Sequence, residues 1–155
     1  MKIAVITVSD RASRGAYEDR SGPAIIETMD RLVQGIIWER EIVPDGIESV
    51  HEALCRHPDA DWIITTGGTG PSPRDQTPEA TLRYCDRIIP GLTEYLRARS
   101  LEQTPFAVFS RGVAGLRGSQ YVVNFPGSVK GAVFHAEALA PLLEHGIAMA
   151  RGEGH

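Results

Sequence analysis

Cysteine is scarce in this chain, with two residues among 155. Cys55 and Cys85 stand alone, without the C-x-x-C spacing of many zinc and redox sites, so the sequence predicts neither a disulfide framework nor a structural zinc ion. The five histidines also lack the H-E-x-x-H pattern or a similar cluster, and we expect no dedicated transition-metal site. Two isolated thiols suit a reducing compartment, so we expect a cytoplasmic protein.

Long hydrophobic runs and an excess of positive charge are missing as well. No stretch approaches 18 consecutive apolar residues, so the sequence predicts no membrane span. Residues 1–8 form a short apolar run that leads straight into charged residues, and we interpret them as a strand rather than a signal peptide. The formal net charge is −4 and only two lysines are present. Because general nucleic-acid binders are usually basic, this charge balance disfavours such a function.

The composition that remains is typical of a globular protein, with 42% hydrophobic and 23% charged residues. A length of 155 residues fits one domain, which we place at 1–155. Apolar patterns predict strands at 2–8, 36–43, 61–66, 106–110 and 120–125, and helices at 22–34, 47–57, 78–85, 91–101, 128–139 and 141–150. The alternation predicts a three-layer α/β/α fold with a mostly parallel sheet. Because no helix separates the last two strands, we also expect one antiparallel strand or a hairpin.

A glycine-rich segment follows the third predicted strand and is the most informative part of the sequence. Residues 65–81 read TTGGTGPSPRDQTPEAT. Gly67, Gly68 and Gly70 leave backbone amides without side chains, and bare amides after a strand often cradle a phosphate. Arg74 and Asp75 add an anion ligand and a metal ligand or base to the same loop. We therefore predict a ligand site here rather than a plain turn.

This loop does not follow the two best-known phosphate-binding patterns. It has no lysine, which excludes a Walker loop, and Pro73 stands where the dinucleotide-binding fingerprint has its last glycine. A helix start comes next, with Thr77 predicted as the cap and Pro78 as the first helical residue. The loop therefore indicates an anion site of another kind.

Several polar segments directly follow predicted strands. Asp10, Asp45 and the segments 67–75 and 124–127 all do so. In open α/β sheets, ligands bind beyond the carboxyl ends of the strands. We therefore expect these segments to gather at one edge of the sheet.

Four segments of the chain resemble the MoaB/Mog adenylyltransferases, a family of molybdenum-cofactor biosynthesis. They are SDRASRG at 9–15, the glycine-rich segment 65–81, SRGVAG at 110–115 and NFPGS at 124–128. The segments occur in the family's order and together span nearly the whole chain, which makes the resemblance specific.

This resemblance implies a molybdopterin adenylyltransferase that transfers AMP from Mg-ATP to the terminal phosphate of molybdopterin and releases pyrophosphate. It implies Mg²⁺ as cofactor, ATP and molybdopterin as substrates, a homotrimer, and transient contact with the molybdenum-insertion enzyme. The alternative is a catalytically inactive molybdopterin-binding relative. Retention of Asp45, Asp75 and the glycine loop favours the enzyme. The molybdenum-insertion enzyme and the competence-damage protein share the fold, but the chain length argues against both.

The resemblance, together with placement after the strands, also suggests site residues. The candidate catalytic residues are Asp45, Asp75 and Ser110, and the two aspartates are also the candidate metal ligands. The candidate substrate- and nucleotide-binding residues are Asp10, Gly67, Gly68, Thr69, Gly70, Arg74, Arg111, Asn124, Pro126, Gly127 and Lys130.

Most of these side chains also have a purely structural interpretation. Asp75 is alternatively a turn residue that bonds its own backbone, and Asp45 a helix cap. Ser110 is alternatively a strand-end hydroxyl, and Asp10 equally caps a local turn. We interpret Asn124 as a structural hydrogen-bonding residue rather than a catalytic one. The sequence leaves open which loop holds the pterin and which holds the nucleotide.

Overall fold

The computed structural model describes residues 1–153. It contains one sheet of six strands: β1 (Lys2–Val8), β2 (Ile37–Val43), β3 (Trp62–Thr66), β4 (Arg87–Ile88), β5 (Ala114–Arg117) and β6 (Gln120–Phe125). Their order in the sheet is β2-β1-β3-β6-β5-β4. β1, β2, β3 and β6 run parallel, whereas β5 is antiparallel to both of its neighbours. The predicted mostly parallel sheet with an antiparallel hairpin is confirmed.

Helices cover both faces of this sheet. They are α1 (Asp10–Ser13), α2 (Ser21–Leu32), α3 (Ile47–Cys55), α4 (Thr77–Tyr84), α5 (Pro90–Leu101), α6 (Val129–Leu139) and α7 (Leu143–Ala150), with 3₁₀ turns at Pro105–Phe109 and Ala140–Leu142. In β1, Ile3 and Val5 pack with α2, α5, α6 and α7, whereas Ala4 and Ile6 pack with α3 and α4. Burial on both faces explains why β1 is a continuous apolar run, as expected of a central parallel strand. The three-layer prediction is confirmed.

The predicted strand at 106–110 is wrong. This segment forms the 3₁₀ turn Pro105–Phe109, in which the Thr104 hydroxyl accepts a hydrogen bond from the Phe106 amide at 3.3 Å. The strand that pairs with β6 is β5, which lies between the two segments predicted as strands at 106–110 and 120–125. Gly115 permits this pairing, because a Cβ there would sit 2.6 Å from the Arg87 carbonyl oxygen on β4.

The predicted capping role of Thr77 is also wrong. The residue before α4 is Gln76, which makes no side-chain cap, and the Thr77 hydroxyl instead donates to the Gly67 carbonyl at 2.9 Å. The short helix α1 falls in a segment predicted as loop, where the Ser9 hydroxyl accepts a hydrogen bond from the Ala12 amide at 3.2 Å. The other helix bounds agree with prediction to within two residues.

Within residues 1–153, no helix combines the length and the apolar character needed to cross a membrane.

Candidate functional site at the carboxyl edge of the sheet

The four parallel strands end at one edge, and the loops that follow them are tied together there. The Ser9 amide after β1 donates to the Val43 carbonyl of β2 at 2.9 Å, and the Gly67 amide after β3 donates to the Phe125 carbonyl of β6 at 3.2 Å. The structure therefore brings together the four polar segments that follow the parallel strands, as the sequence predicts.

The glycines of the loop after β3 are required by close packing. Gly67 has φ +103°, and a Cβ there would sit 2.3 Å from the Val8 carbonyl oxygen. Gly68 has φ +64°, and its Cβ would sit 2.3 Å from the Thr77 hydroxyl oxygen. A side chain at Gly127 would approach the Gly67 Cα to 3.1 Å. These glycines let the loops after β1, β3 and β6 pass close together, and they leave the backbone bare.

Asp10 and Asp45 form a reciprocal pair. The Asp10 amide donates to Asp45 Oδ2 at 2.9 Å, and the Asp45 amide donates to Asp10 Oδ1 at 3.1 Å. Asp45 therefore holds the neighbouring loop and does not cap α3, whose Ile47 amide donates instead to the Gln76 side-chain oxygen at 3.3 Å. Asp45 Oδ1 makes no hydrogen bond within residues 1–153. It lies 3.3 Å from the point where a Cβ of Gly68 would stand, at the glycine loop.

Asp75 closes the far part of the glycine loop. Its Oδ2 accepts a hydrogen bond from the Ser72 amide at 3.1 Å, and its own amide donates to the Ser72 carbonyl at 2.9 Å. One carboxylate oxygen of Asp75 therefore bonds the turn, as its structural interpretation expects. The other oxygen, Oδ1, makes no hydrogen bond to any residue that the structure describes. Arg74 is exposed, and its Nη1 lies 3.8 Å from Asp10 Oδ2.

Arg111 fastens this loop from the opposite side. Its Nε donates to the Gly70 carbonyl at 2.8 Å, and its two terminal nitrogens bond the Asp75 carbonyl and the Glu79 carboxylate. The hydrogen bond between Arg111 and Glu79 raises the pKa of Arg111 and lowers the pKa of Glu79. The guanidinium thus orients the backbone of the loop, and direct contact between Arg111 and a bound anion stays a prediction.

Asn124 and Ser110 lie beside each other near the end of β6. Asn124 is 2% exposed, and its amide nitrogen donates to Thr65 Oγ1 and Thr81 Oγ1, both at 2.9 Å. Its oxygen accepts from the Val113 amide at 3.1 Å, so the geometry favours the structural interpretation. Ser110 Oγ accepts from the Gly112 amide at 3.3 Å, a bond that leaves its hydroxyl hydrogen free to donate.

Two cavities flank the glycine loop. The first, with a volume of about 280 Å³, contains Asp19, Asp45 and Asp75 together with Gly67, Gly68 and Gly127, and we refer to it as the acidic cavity. The second, with a volume of about 320 Å³, contains Arg97, Lys130, Ser110, Asn124 and Pro126, and we refer to it as the basic cavity. Among the described residues, its lining includes no aspartate or glutamate. Thr69 and Gly70 face the basic cavity, so one loop serves as the wall between the two.

The sequence reasoning missed Asp19, whose carboxylate lies on the wall of the acidic cavity. It is 8% exposed and accepts hydrogen bonds from Thr7 Oγ1 at 2.8 Å, the Gly22 amide at 3.1 Å and Arg40 at 2.9 Å. Burial opposes its ionisation, but these three donors together hold the pKa of Asp19 below its ordinary value. The sequence carries a usable signal, since an Asp-x-Ser-Gly-Pro run is typical of a helix start.

His135 and Arg97 were also missed, and both line the basic cavity. His135 is 6% exposed, its Nε2 lies 2.8 Å from Ser100 Oγ, and burial lowers its pKa to about 4, helped by the nearby charge of Arg97. Arg97 donates to the carbonyls of Ser110 and Gly112, both at 3.1 Å, and so holds the segment that carries Ser110. Neither residue follows a strand, so neither stood out in the sequence.

No group of three or more histidine, cysteine, aspartate or glutamate side chains is placed to hold a metal ion within the described part of the chain. Two carboxylates with an oxygen free of hydrogen bonds, Asp45 and Asp75, do share the acidic cavity. Such a pair suits a cation that takes most of its ligands from water and phosphate.

Fold and site together define a class: a three-layer α/β protein whose ligand site lies at the carboxyl edge of its sheet, around a glycine-rich loop. Residues 4–145 match the family described as a probable molybdopterin binding domain. The chain belongs to this family.

Relatives of established name are similar over most of the chain. A molybdopterin adenylyltransferase from Helicobacter pylori is 40% identical over 147 residues, which cover 92% of this chain and 84% of the relative. One from Escherichia coli is 38% identical over 134 residues, covering 84% and 69%. The crystal structure of the molybdopterin biosynthesis enzyme MoaB from Thermus thermophilus superposes with a TM-score of 0.87 at 41% identity, covering 97% of this chain and 96% of that one.

Proposed function

We propose that this protein is a molybdopterin adenylyltransferase, which transfers AMP from ATP to the terminal phosphate of molybdopterin and releases pyrophosphate. The similarity to adenylyltransferases of that name supports the activity. The structural observation that carries the proposal is the glycine loop shared by an acidic and a basic cavity. A reaction between two phosphate-bearing substrates needs two adjoining compartments and a common phosphate-binding wall.

The charges of the cavities favour one placement of the substrates. We assign ATP to the acidic cavity, because Asp45 and Asp75 suit the divalent cation that accompanies a triphosphate. We assign molybdopterin to the basic cavity, where Lys130 and Arg97 favour an anionic group and the apolar walls suit a planar ring. In this arrangement the two phosphates meet at the loop of Gly67 to Gly70.

The donor set at the acidic cavity fits Mg²⁺. This ion prefers oxygen ligands, keeps several waters and is usually held by one or two carboxylates together with substrate phosphates. We propose that Asp45 Oδ1 and Asp75 Oδ1 hold it, because neither oxygen is used by the described residues. Bound there, the ion would offset negative charge that develops on the reacting phosphates.

The chain itself supplies position and charge. In the proposed reaction an oxygen of the molybdopterin phosphate attacks the α-phosphorus of ATP, and the bond to pyrophosphate breaks. The Gly68 amide and the Lys130 ammonium would offset repulsion between the two substrates. Arg111 and the Asp75 carboxylate fix the loop so that these donors need not reorganise during the reaction. The Ser110 hydroxyl is free to donate to molybdopterin.

A direct assay separates this function from its alternative. Purified protein is mixed with molybdopterin and Mg-ATP, and adenylylated molybdopterin and pyrophosphate are quantified by mass spectrometry and a coupled assay. We expect both products in equal amounts. Tight molybdopterin binding without either product would instead support a catalytically inactive binding protein.

We propose four further properties of the protein. Residues 1–155 form a single molybdopterin-binding domain, which the family match over 4–145 supports. The active form is a homotrimer, consistent with the exposed apolar side chains of Phe106, Val108 and Phe109. The two free thiols suit a cytoplasmic location. The adenylylated product passes by transient contact to the molybdenum-insertion enzyme.

A further inference from the structure

A tyrosine on the wall of the acidic cavity has no role in the site described above. Tyr17 lines this cavity and is 46% exposed. The Arg11 guanidinium lies over its ring, with Cζ 4.9 Å from the ring centroid. The contact is a cation–π interaction, in which Arg11 holds the ring from one side. The ring itself still lines the cavity.

Local structure brings this pair together. Gly15 adopts φ +73° after α1, and the Ala16 amide then donates to the Arg11 carbonyl at 2.9 Å. The chain folds back at this point, which places Tyr17 over Arg11. The start of α1 is in turn fixed by the hydrogen bond from the Asp10 amide to Asp45. The ring is therefore held in a defined position relative to one of the candidate metal ligands.

We propose that Tyr17, supported by Arg11, stacks against the base of the nucleotide. This inference rests on the proposed function, which places ATP in the acidic cavity. Gly68 offers that cavity an amide for phosphate, but an amide has no aromatic face on which a base can stack. Among the described residues, Tyr17 is the one aromatic side chain in the cavity lining. A base stacks well on such a ring, because every base has a π face.

A residue that stacks on the base contributes to binding of the base but not of the phosphates. Two ligands, one with a base and one without, therefore separate stacking from phosphate binding. Binding of Mg-ATP and of Mg-tripolyphosphate is measured by isothermal titration calorimetry for wild type, Tyr17→Ala and Tyr17→Phe. We expect Tyr17→Ala to raise the Kd for ATP about tenfold. Its Kd for tripolyphosphate should stay within about twofold, as expected if the phosphate-binding amides are unchanged. Tyr17→Phe keeps the ring and should retain the affinity for ATP.

The chain offers a matched control in Tyr95, which is 40% exposed on α5 and belongs to neither cavity lining. Tyr95→Ala should leave both dissociation constants unchanged. The proposal is overturned if Tyr17→Ala binds ATP as wild type does, if it loses affinity for tripolyphosphate to the same extent, or if it weakens molybdopterin binding instead. Should Tyr17→Ala fail to fold, Tyr17→Trp provides the readout, since ATP but not tripolyphosphate should quench its fluorescence.

The same experiments distinguish this inference from the proposed function. If wild type binds ATP in a Tyr17-dependent manner but transfers no AMP, the stacking role stands and the adenylyltransferase does not. If Tyr17→Ala transfers AMP with an unchanged KM for ATP, the enzyme stands and the stacking role does not.

Discussion

Gly68 and Gly118 share nearly the same backbone conformation, with φ of +64° and +59°, but differ in their surroundings. A Cβ at Gly68 would sit 2.3 Å from Thr77 Oγ1, whereas a Cβ at Gly118 meets nothing within 4 Å. Both alanine variants bear the strain of a positive φ, which is about 1–2 kcal/mol. The difference between them therefore isolates the cost of the close contact.

We predict that Gly68→Ala lowers the free energy of unfolding by about 1–3 kcal/mol more than Gly118→Ala does, because Thr77 is fully buried and its hydroxyl is bonded to the Gly67 carbonyl. Urea denaturation of both variants measures the difference. Equal destabilisation would show that Thr77 relaxes freely and that Gly68 is required only for its backbone angle.

Asp75 supports a prediction about activity. Asp75→Asn keeps the size of the side chain and an oxygen to accept from the Ser72 amide, but removes the charge that would hold Mg²⁺. We expect the rate of AMP transfer to fall about a hundredfold, as when a preorganised electrostatic group is lost. Molybdopterin binding should change little, since the basic cavity does not include Asp75. The assay is single-turnover AMP transfer alongside a molybdopterin titration.

The exposed Asp59→Asn variant is the control for Asp75, since Asp59 lies outside both cavity linings. Transfer by Asp75→Asn within threefold of wild type would leave Asp75 as a turn residue only. Asp45 would then be the stronger candidate for the metal ligand.

Among the elements, the central strands β1 and β3 could be predicted from the sequence, whereas the antiparallel strand β5 could not. β1 and β3 are apolar throughout because helices bury both of their faces, and that pattern is visible in sequence. β5 reads Ala-Gly-Leu-Arg and carries no strand pattern, since Gly115 is dictated by the approach of the Arg87 carbonyl. The apolar residues 106–110 looked like a strand, but Thr104 starts a 3₁₀ turn there.

The candidate site, too, could be predicted from the sequence only in part. The loops after β1, β2, β3 and β6 could be placed at one edge because their position follows from strand direction. The partners of individual side chains could not, because they come from remote parts of the chain. Arg111 bonds the Gly70 carbonyl and Glu79, and Asn124 bonds Thr65 and Thr81. These contacts exist only once the sheet has formed.

His135 on helix α6 supports a prediction about how the free energy of unfolding depends on pH. Burial lowers the pKa of His135 from 6.5 to about 4, so the folded protein keeps this imidazole neutral over a range in which the unfolded chain takes up a proton. Stability from this group is therefore complete above pH 6.5 and declines as the pH falls towards 4. The slope is at most about 1.4 kcal/mol per pH unit, the value for one proton.

His135→Gln keeps a partner for Ser100 but does not titrate, so its free energy of unfolding should depend less on pH across this range. The exposed His145→Gln variant is the control and should retain the wild-type slope. Urea denaturation at a series of pH values measures all three proteins. Parallel curves for wild type and His135→Gln would contradict a buried, neutral His135.

At the scale of the whole molecule, the surface bears several large apolar side chains. Phe106 is 74% exposed and Val108 and Phe109 are each 61% exposed, on one 3₁₀ turn, and Ile37 on the edge strand β2 is 65% exposed. Exposed apolar side chains that cluster on one turn, as at 106–109, are typical of interaction surfaces. We predict that the protein sediments at equilibrium as one species of three times the 16.9 kDa chain mass. A single species at the monomer mass, at micromolar concentration, would rule the trimer out.

The reciprocal Asp10–Asp45 pair has a consequence for mapping the site by mutagenesis. Each carboxylate accepts a hydrogen bond from the backbone amide of the other residue, so replacing either side chain removes one of the two bonds that together hold the loops. The effects of Asp10→Ala and Asp45→Ala should therefore overlap rather than add, and a double-mutant cycle should return a large coupling energy. In a scan of single substitutions, loss of AMP transfer in Asp10→Ala would be assigned to Asp10, although it would arise from a displaced Asp45. The two aspartates are best treated as one functional unit.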